Sequence, residues 1–289
     1  MGLFIAFSNG LIAAEVILMG DSWGVRVGSF IEDELNANGL SAYSLLNTSV
    51  GGSRADQWND GLILDVAQLL ADNPDERLVH LIIGGNDLLA SWPDLDAIPA
   101  VVNDVIELLV KISGATEAPI LLSSYDYLPG PVFGADIATQ NALLAEYLEQ
   151  LATALANHAF LGSRVTLINS LGLMQVAFGV PQASLPAGDP ALPDPALPGP
   201  AVAFSDAIHL SNSGHSVYAE FLFDEFYAPT LLWAGIPIAN VTRDVDTGGF
   251  LGWLNVSQGD WVWSYSLNAY LYCPEENISE AGAWVYIFD

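Results

Sequence analysis

The sequence predicts an α/β protein in which a parallel sheet is covered by helices on both faces, with a small antiparallel β module after it. Up to about residue 230, short apolar runs alternate with longer amphipathic segments, as strands and crossover helices do in a parallel sheet. The runs are apolar almost throughout, which is typical of strands buried on both faces. From about Ile238 onward, large side chains alternate with small or polar ones, which indicates antiparallel strands.

The individual elements follow from these patterns in chain order. Five strands are predicted at residues 15–19, 42–46, 78–83, 119–124 and 164–169. Helices are predicted at about residues 25–38, 56–71, 96–113, 136–158 and 213–227. The third and fourth of these helices carry apolar residues at three- and four-residue steps, which is the helical period.

The stretch from Val180 to Pro200 differs from its surroundings, because it contains seven prolines and almost no charge. We expect an extended loop without regular structure there. Since the loop leads into an Asp-x-x-His segment at residues 206–209, our interpretation is that it borders a substrate pocket. A solvent-exposed insertion far from any site is the alternative.

A serine lies where the first strand turns into the first helix. Gly20-Asp21-Ser22-Trp23 follows the apolar run at residues 15–19 and precedes the helix. Such a turn exposes a side chain at the carboxyl edge of a parallel sheet and directs backbone N–H groups towards a ligand. Taken alone, the segment is better explained by Asp21 or Ser22 acting as a helix N-cap.

Three further segments of the same region carry polar and glycine-rich blocks. Asn47-Thr48-Ser49-Val50-Gly51-Gly52-Ser53-Arg54 follows the second strand, and Gly84-Gly85-Asn86-Asp87 closes the third. Ser205-Asp206-Ala207-Ile208-His209-Leu210 precedes the last helix. With Gly20-Asp21-Ser22, these blocks resemble the Ser, Gly, Asn and His blocks of the SGNH (GDSL-type) hydrolase family, in the same chain order.

The resemblance covers about residues 15–230. It implies a three-layer α/β/α fold with a five-stranded, flavodoxin-like parallel sheet of order 2-1-3-4-5. It also implies a serine esterase or lipase that works without a metal or an organic cofactor.

The chemistry of acyl transfer assigns a role to each block. Ser22 is the candidate nucleophile, His209 the candidate base, and Asp206 the group that orients the base. The Asp-x-x-His spacing lets the last two side chains come from one short turn. A capping aspartate and a surface histidine are the alternative interpretation of that turn.

The resemblance further implies an oxyanion hole formed by the Ser22 N–H, the Gly52 N–H and the Asn86 side-chain amide. Glycine suits the second position because a backbone that approaches a substrate closely has no room for a Cβ. Gly51 is the alternative donor, and Asn86 with Asp87 is alternatively an ordinary turn after a strand.

The remaining histidines and several aromatic residues lie outside the four blocks. We expect His80, His158 and His215 to be structural. Aromatic side chains that follow strand ends are candidates for the pocket wall, with ordinary packing as the alternative; they are Tyr125, Tyr127, Phe133 and Trp92.

The charge of the chain limits its partners. Six Lys and Arg stand against 34 Asp and Glu, which makes the formal net charge −28 at pH 7. So negative a chain repels phosphates and anionic membranes, and nucleic acid is not an expected partner. The single Cys273 cannot form an internal disulfide, and no Cys/His cluster indicates a metal site. No apolar stretch is long enough for a membrane-spanning helix.

The chain divides into three predicted segments. Residues 1–14 resemble the apolar part and small-residue end of a signal peptide, although they lack a basic start. A short N-terminal extension is the alternative. Residues 15–237 are the predicted hydrolase domain, and residues 238–289 are a C-terminal aromatic-rich β module. We expect a secreted or periplasmic protein.

The aromatic residues of the C-terminal module allow two interpretations. One is that they bind a partner, either a glycan, through stacking of Trp and Tyr on sugar rings, or another protein. The favoured interpretation is that so short a module needs large aromatic side chains to build its core.

The sequence as a whole predicts a serine hydrolase that cleaves O-acyl esters through an acyl-enzyme. Short-chain or acetyl esters of carbohydrates or small alcohols are the expected substrates. A lysophospholipase or arylesterase is the nearest alternative, and a non-catalytic carbohydrate-binding protein is the alternative from another class.

Overall fold

The structure is a computed structural model. It describes residues 14–41, 43–91, 95–132, 135–180, 193–239, 242–248, 251–275, 278–279, 282–283 and 286–287.

Five short strands form one parallel sheet: β1 (Ala14–Gly20), β2 (Tyr43–Asn47), β3 (Glu76–Ile82), β4 (Ile120–Ser123) and β5 (Val165–Ile168). Their order is β2-β1-β3-β4-β5, and every neighbouring pair is parallel. The predicted fold class and strand order are therefore confirmed. The two central strands are buried: residues 16–19 in β1, and residues 78–83, which include most of β3 and the residue after it. Burial is expected for near-continuous apolar strands in the middle of a three-layer fold.

Helices cover both faces of the sheet: α1 (Ser22–Ala37), α2 (Ala55–Asn59), α3 (Val66–Asp72), α4 (Gly85–Ser91), α5 (Ile98–Ala115), α6 (Ile137–Asn157), α7 (Leu173–Phe178), α8 (Asn212–Leu222) and α9 (Ala228–Leu231). A π-helical turn, Phe223–Tyr227, joins α8 to α9. Helix α1 packs on α8, whereas α5 packs on α2, α3 and α6. Crossovers between parallel strands are right-handed almost without exception. With the strand order β2-β1-β3-β4-β5, the β1–β2 crossover and the later crossovers therefore place these two groups of helices on opposite faces.

The prediction of a single helix at residues 56–71 is wrong, because two helices, α2 and α3, occupy this segment. Helix α2 ends at Asn59, and Gly61 adopts a φ of +68° that a continuous helix cannot include. Helix α3 then starts anew, with the Asp65 side chain accepting a hydrogen bond from the Gln68 N–H at 3.1 Å. Helices α4 and α7 were not predicted, since each is only about two turns long.

Gly20 brings the ends of β1 and β3 together. A Cβ at this position would lie 1.9 Å from the Ile82 carbonyl oxygen, and its φ of +135° is one that other residues rarely adopt. The following Asp21 N–H donates to the same Ile82 carbonyl at 2.9 Å. The carboxyl edge of the sheet therefore begins with the turn that carries Ser22.

The proline-rich stretch is described only from residue 193 onward, and residues 181–192 lie outside the described part. Residues 193–200 pack against the helical layer without regular structure, as expected. Asn141 Nδ2 donates to the carbonyls of Pro195 and Leu197 at 3.0 and 2.9 Å. The Gly199 N–H donates to the Leu128 carbonyl at 2.9 Å.

A second, antiparallel sheet forms near the C-terminus: β8 (Asp244–Asp246), β9 (Trp253–Gln258), β10 (Trp261–Ser264), β11 (Ala269–Tyr272) and β14 (Tyr286–Ile287). Its order is β14-β11-β10-β9-β8. Two small hairpins accompany it, one formed by β6 (Leu232–Trp233) and β7 (Ile236–Pro237), the other by β12 (Ile278–Ser279) and β13 (Gly282–Ala283). The predicted antiparallel sheet is thus confirmed.

The prediction that large aromatic side chains build the core of this sheet is wrong for the residues described. The buried positions of its strands are aliphatic or small: Val245, Leu254, Val256, Val262, Ser264 and Leu271. Trp233 joins that core from the preceding hairpin. The aromatic side chains of β9, β10 and β11 occupy the alternate positions, on the other face of the sheet.

The C-terminal sheet attaches to the amino edge of the parallel sheet. Tyr43, the first residue of β2, donates from its hydroxyl to the Ile238 carbonyl at 2.5 Å. Arg77, near the start of β3, donates to the Ala239 carbonyl at 3.2 Å.

Among the helices of the described residues, none is long and apolar enough to cross a membrane.

Candidate active site

Ser22 is the first residue of helix α1 and directly follows the buried Asp21. Asp21 Oδ1 accepts a hydrogen bond from the Trp23 N–H at 2.9 Å, so this aspartate is the N-cap of the helix. The two interpretations of the segment are therefore compatible, since the cap holds the turn that presents the Ser22 hydroxyl at the carboxyl edge of the sheet.

Asp206 folds the turn that carries His209. Its Oδ1 accepts hydrogen bonds from the backbone N–H groups of Ile208 and His209 at 2.9 and 2.8 Å. The same turn is closed by the Ser205 N–H, which donates to the His209 carbonyl at 2.9 Å. Trp23 Nε1 donates to the Ile208 carbonyl at 3.0 Å and so ties the turn to helix α1.

The structure brings Ser22, His209 and Asp206 together. His209 Nε2 lies 2.8 Å from the Ser22 hydroxyl oxygen, although the two residues are 187 positions apart. The other ring nitrogen, Nδ1, lies 2.8 Å from Asp206 Oδ2. The His209 side chain is 14% exposed and that of Asp206 is 44% exposed. An ionised carboxylate at Nδ1 holds the neutral ring in the tautomer whose Nε2 can accept the serine proton.

The Asp206 carboxyl is held in its ionised form. Burial works against the charge, but the hydrogen bonds donated by Ile208 and His209 outweigh it and lower the pKa of Asp206 to about 2. Arg26, which the sequence did not indicate as a site residue, lies near the same carboxylate. Its Nη2 is 3.7 Å from Asp206 Oδ2. This ion pair is largely exposed, and such pairs contribute little.

The turns after β2 and β3 lie next to each other. Asn86 Nδ2 donates to the Ser53 carbonyl at 3.1 Å, and the Ala55 N–H donates to Asp87 Oδ1 at 3.0 Å. Asp87 is buried, although the sequence indicates no role for it beyond that of a turn residue. Only its position directly after Asn86 points to a functional role. The pair Asn86-Asp87 thus fastens the Gly-rich turn to the end of β3.

The two candidate glycines differ in their surroundings. A Cβ on Gly51 would lie 3.9 Å from the Ser22 Cβ, whereas a Cβ on Gly52 would meet nothing within 4 Å. Gly52 has a φ of +79°, and the Ser53 N–H closes the turn on the Val50 carbonyl at 3.1 Å. The turn itself therefore requires glycine at position 52.

A small apolar cavity opens beside Ser22 and Asn86. Its volume is about 40 Å³, and Leu88, Leu89, Leu128, Leu144 and Ile208 line it together with Trp23, Gly85, Tyr125 and Asp21. Tyr125, one of the predicted wall residues, is therefore in place. Tyr127 is buried but does not line this cavity, and Trp92 and Phe133 lie outside the described residues. None of residues 193–200 lines it either, although the Gly199 N–H donates to the carbonyl of the lining residue Leu128.

The other three histidines have structural contacts. His80 lies between the hydroxyls of Tyr227 and Ser123 at 2.8 and 2.6 Å, and burial lowers its pKa to about 3. His158 accepts from the Leu161 N–H at 3.2 Å at the end of α6. His215 is buried and stacks on Phe30 with ring centroids 5.4 Å apart.

A metal site was not predicted. Within the ranges that the structure covers, no group of three or more His, Cys, Asp or Glu side chains is arranged to hold a metal ion.

Comparison with known proteins places the chain in a family. The model of the GDSL-like lipase/acylhydrolase family matches residues 18–217. The chain belongs to this family and is a carboxylic ester hydrolase. No curated protein sequence matches it.

Solved structures share its fold at low sequence identity. A catalytic mutant of an acetylxylan esterase from Geobacillus stearothermophilus is 14% identical with a TM-score of 0.52, over 73% of this chain and 93% of that one. Another acetyl xylan esterase is 16% identical with a TM-score of 0.50, over 73% and 99%. An alpha/beta hydrolase enzyme from the metagenome of Lake Arreo, Spain, is 16% identical with a TM-score of 0.50, over 72% and 93%.

Proposed function

We propose that the chain hydrolyses short-chain carboxylic esters with Ser22 as nucleophile, through an acyl-enzyme. The Ser22 oxygen attacks the ester carbonyl while its proton passes to His209 Nε2, 2.8 Å away. Collapse of the tetrahedral intermediate breaks the bond to the alcohol oxygen, which takes the proton from His209. Water then attacks the acyl group with His209 again as base, and the Ser22 proton is restored as the carboxylic acid leaves.

Asp206 is the proposed orienting group of this triad. Its carboxylate at 2.8 Å from Nδ1 fixes the ring tautomer and stabilises the imidazolium that forms during each proton transfer. Because its pKa is held at about 2, it stays ionised while His209 cycles between its two states.

Three N–H donors are proposed for the oxyanion: the Ser22 N–H, the Gly52 N–H and the Asn86 amide. An amide NH₂ has two N–H bonds, and Asn86 gives one of them to the Ser53 carbonyl at 3.1 Å. That bond orients the amide, and its second N–H is the proposed oxyanion donor. Losing one such donor typically costs about 2.7–4 kcal/mol of transition-state stabilisation.

The cavity beside Ser22 supports a small acyl group. A volume of about 40 Å³ exceeds what a single water needs, yet it has room for only a few heavy atoms. Its apolar lining suits the methyl end of an acetyl or similarly short group. Acetylxylan esterases among the solved structures of the same fold support acetylated carbohydrate as the substrate class.

The proposal is carried by the pair of 2.8 Å contacts that His209 makes with Ser22 and Asp206. The test is hydrolysis of p-nitrophenyl acetate and of acetylated xylan by the parent, Ser22→Ala, His209→Ala and the control Ser29→Ala, an exposed serine of the same helix. We expect both site variants to lose turnover on both esters and the control to retain it. Rapid quenching of the parent should also show one acetyl group on the Ser22 peptide by mass spectrometry. Turnover in Ser22→Ala equal to that of the parent would refute the assignment.

We also propose that the protein is exported and that residues 15–237 and 238–289 are separate structural units. The apolar character of residues 1–14, which lie almost wholly outside the described part, supports export. The two hydrophobic clusters support the division, since every buried residue of the second except Trp233 lies after residue 237. Cell fractionation tests the first point, and limited proteolysis, which should leave a stable fragment corresponding to one of the two units, tests the second.

A further inference from the structure

The outer face of the C-terminal sheet carries a cluster of aromatic side chains. We call it the aromatic face and define it by Trp253, Trp261, Trp263, Tyr265, Tyr270 and Tyr272. Four of these side chains are about half exposed: Trp253 (45%), Trp261 (42%), Tyr265 (52%) and Tyr270 (51%). Contiguous exposed apolar surface of this kind marks binding sites more often than scattered single residues do.

The strand register orders these rings in rows. Trp261 on β10 lies opposite Tyr272 on β11, and Trp263 lies opposite Tyr270. The ring centroids are 5.2 Å apart in the first pair and 5.0 Å apart in the second. Successive outward residues on one strand are roughly 7 Å apart, so the two pairs form a patch several rings across.

The aromatic face is not needed to build the sheet's core. The inner positions of the strands are Val245, Leu254, Val256, Val262 and Leu271, and all of them are at most 3% exposed. These aliphatic side chains already supply the buried layer. A sheet whose inner face is filled has no folding requirement for six Trp and Tyr side chains on the outer one.

Polar groups flank the rings. Asp244 Oδ1 accepts hydrogen bonds from the Tyr265 hydroxyl at 2.9 Å and from Asn255 Nδ2 at 2.8 Å. Asp246 lies opposite Trp253 in the register of β8 and β9. Rings thus lie beside carboxylate and amide groups on one surface.

The aromatic face lies away from the proposed active site. Its sheet attaches through Tyr43 and Arg77 at the amino edge of the parallel sheet, whereas Ser22 lies at the carboxyl edge. Contact with a ligand at the face therefore leaves the Ser22 cavity open.

We propose that the aromatic face binds an uncharged polysaccharide, with pyranose rings stacked on its Trp and Tyr side chains. A pyranose has apolar C–H faces that match aromatic rings, and hydroxyl groups at its rim. The exposed carboxylate of Asp246 complements that rim, because a carboxylate only accepts hydrogen bonds and a hydroxyl can donate them. Tyr, Trp, Asp and Asn together suit a ligand that is apolar on its faces and polar at its edges.

The charge of the chain favours a neutral ligand. At a formal net charge of −28, nucleic acids, anionic lipids and acidic polysaccharides are repelled. A neutral polysaccharide is not, and it presents repeating rings to a patch several rings wide. Binding there would hold the enzyme on a polymer independently of ester hydrolysis at Ser22.

The experiment measures retention of the full chain on insoluble xylan, cellulose and chitin, with alginate as an anionic comparison. Both the parent and Ser22→Ala are used, so that the result does not depend on the proposed catalysis. The test variant is Trp261→Ala/Tyr270→Ala, and the matched control is Leu267→Ala, an aliphatic side chain that is 48% exposed in the turn after β10. Thermal unfolding of each variant shows whether it is folded.

We expect the parent and Ser22→Ala to bind at least one neutral polysaccharide equally and alginate weakly. The double variant should bind it with an apparent Kd raised about tenfold or more, while Leu267→Ala binds like the parent. The proposal is overturned if the parent binds none of the three neutral polymers. Retention of the double variant equal to that of the parent also overturns it. So does the finding that the parent is retained on no polymer but forms a concentration-dependent dimer that the double variant does not form.

A second measurement uses the unsubstituted chain and covers the case in which the double variant does not fold. N-bromosuccinimide oxidises accessible tryptophans, and Trp253 and Trp261 are the tryptophans of the face with the largest exposure. Soluble oligosaccharides of the retained polymer should protect these two residues from oxidation, as read by peptide mass spectrometry. Equal oxidation with and without the oligosaccharide would count against the proposal.

Discussion

The hydroxyl of Tyr125 donates a hydrogen bond to Asp21 Oδ2 at 2.5 Å, next to the nucleophile. The same hydroxyl accepts a hydrogen bond from the Gly85 N–H at 2.8 Å. Asp21 caps the helix that begins with Ser22, and Gly85 precedes Asn86. One buried phenol therefore connects the turn that holds the nucleophile to the turn that holds a proposed oxyanion donor.

Removing this hydroxyl should lower turnover. In Tyr125→Phe, the Gly85 N–H and the Asp21 carboxylate lose their shared partner, and the Asn86 amide is held less firmly. We expect kcat to fall about tenfold, the equivalent of one hydrogen bond of ~1.4 kcal/mol, with a smaller change in KM. The control is Tyr127→Phe, a buried tyrosine that does not line the cavity. Equal kcat in Tyr125→Phe and the parent would show that the bridge has no part in positioning.

The low pKa of Asp206 should keep the protonation of this carboxyl out of the pH profile. Because its pKa is about 2, it stays ionised from about pH 4 to about pH 9. Any acid-side fall of log kcat/KM in this range should therefore persist in Asp206→Asn, whose side chain cannot be protonated there. Steady-state kinetics on p-nitrophenyl acetate at a series of pH values measure both profiles, and an acid-side fall that disappears in Asp206→Asn would contradict this expectation.

Replacing Asp206 should reduce activity without abolishing it. Asp206→Asn keeps an oxygen for the backbone N–H groups of Ile208 and His209 but loses the charge that stabilises the imidazolium. We expect kcat/KM to fall by about 10²- to 10⁴-fold. Asp33→Asn, an exposed aspartate on α1, is the control. A loss confined to KM would contradict an orienting role.

Asp87 should make the protein less stable as the pH rises. Burial raises its pKa to about 6, so the folded state binds a proton more tightly than the unfolded state. Its contribution to the free energy of unfolding therefore falls between about pH 4 and about pH 6, by up to ~1.4 kcal/mol per pH unit. Asp87→Asn can still accept from the Ala55 N–H and should weaken this dependence.

Urea unfolding of the parent, Asp87→Asn and the exposed Asp72→Asn at a series of pH values tests this expectation. Asp72→Asn should follow the parent, while Asp87→Asn gains relative stability as the pH rises. Parallel curves for all three proteins would contradict the role assigned to Asp87.

The size of the cavity should set the preference for acyl length. Leu89 is a partly buried lining residue on α4, and Leu89→Ala enlarges the cavity with limited loss of core packing. We expect the ratio of kcat/KM for hexanoate to acetate esters to rise about tenfold or more, since each methylene in an apolar pocket is worth roughly 1–3 kcal/mol.

The matched control for the cavity is Leu69→Ala. Leu69 is also partly buried against the main core, but it lies on α3 and does not line the cavity. The Leu69→Ala variant should lose some stability. Its dependence of kcat/KM on acyl chain length, measured with p-nitrophenyl esters of increasing length, should stay like that of the parent. The same change of profile in both variants would mean that the cavity does not hold the acyl group.

Local patterns in the sequence determined the layered fold and indicated the candidate site. Continuous apolar runs identify the five buried strands. The turns that follow β1, β2 and β3 contain Ser22, Gly52 and Asn86, and these turns lie at one edge of the sheet. Parallel strands bring their carboxyl ends together, so these turns could be placed near one another before any coordinates. Asp206 and His209 could be paired because their spacing is that of a single turn.

Tertiary structure decided what lies across long separations. The 187 positions between Ser22 and His209, and the bridge from Asp21 through Tyr125 to Gly85, depend on how helices pack on the sheet, which no local pattern contains. The C-terminal sheet shows the same limit. Alternation indicates that two sets of side chains lie on opposite faces, but not which face is buried, and packing against Trp233 and Ile238 turned the aliphatic set inward and the aromatic rings towards solvent.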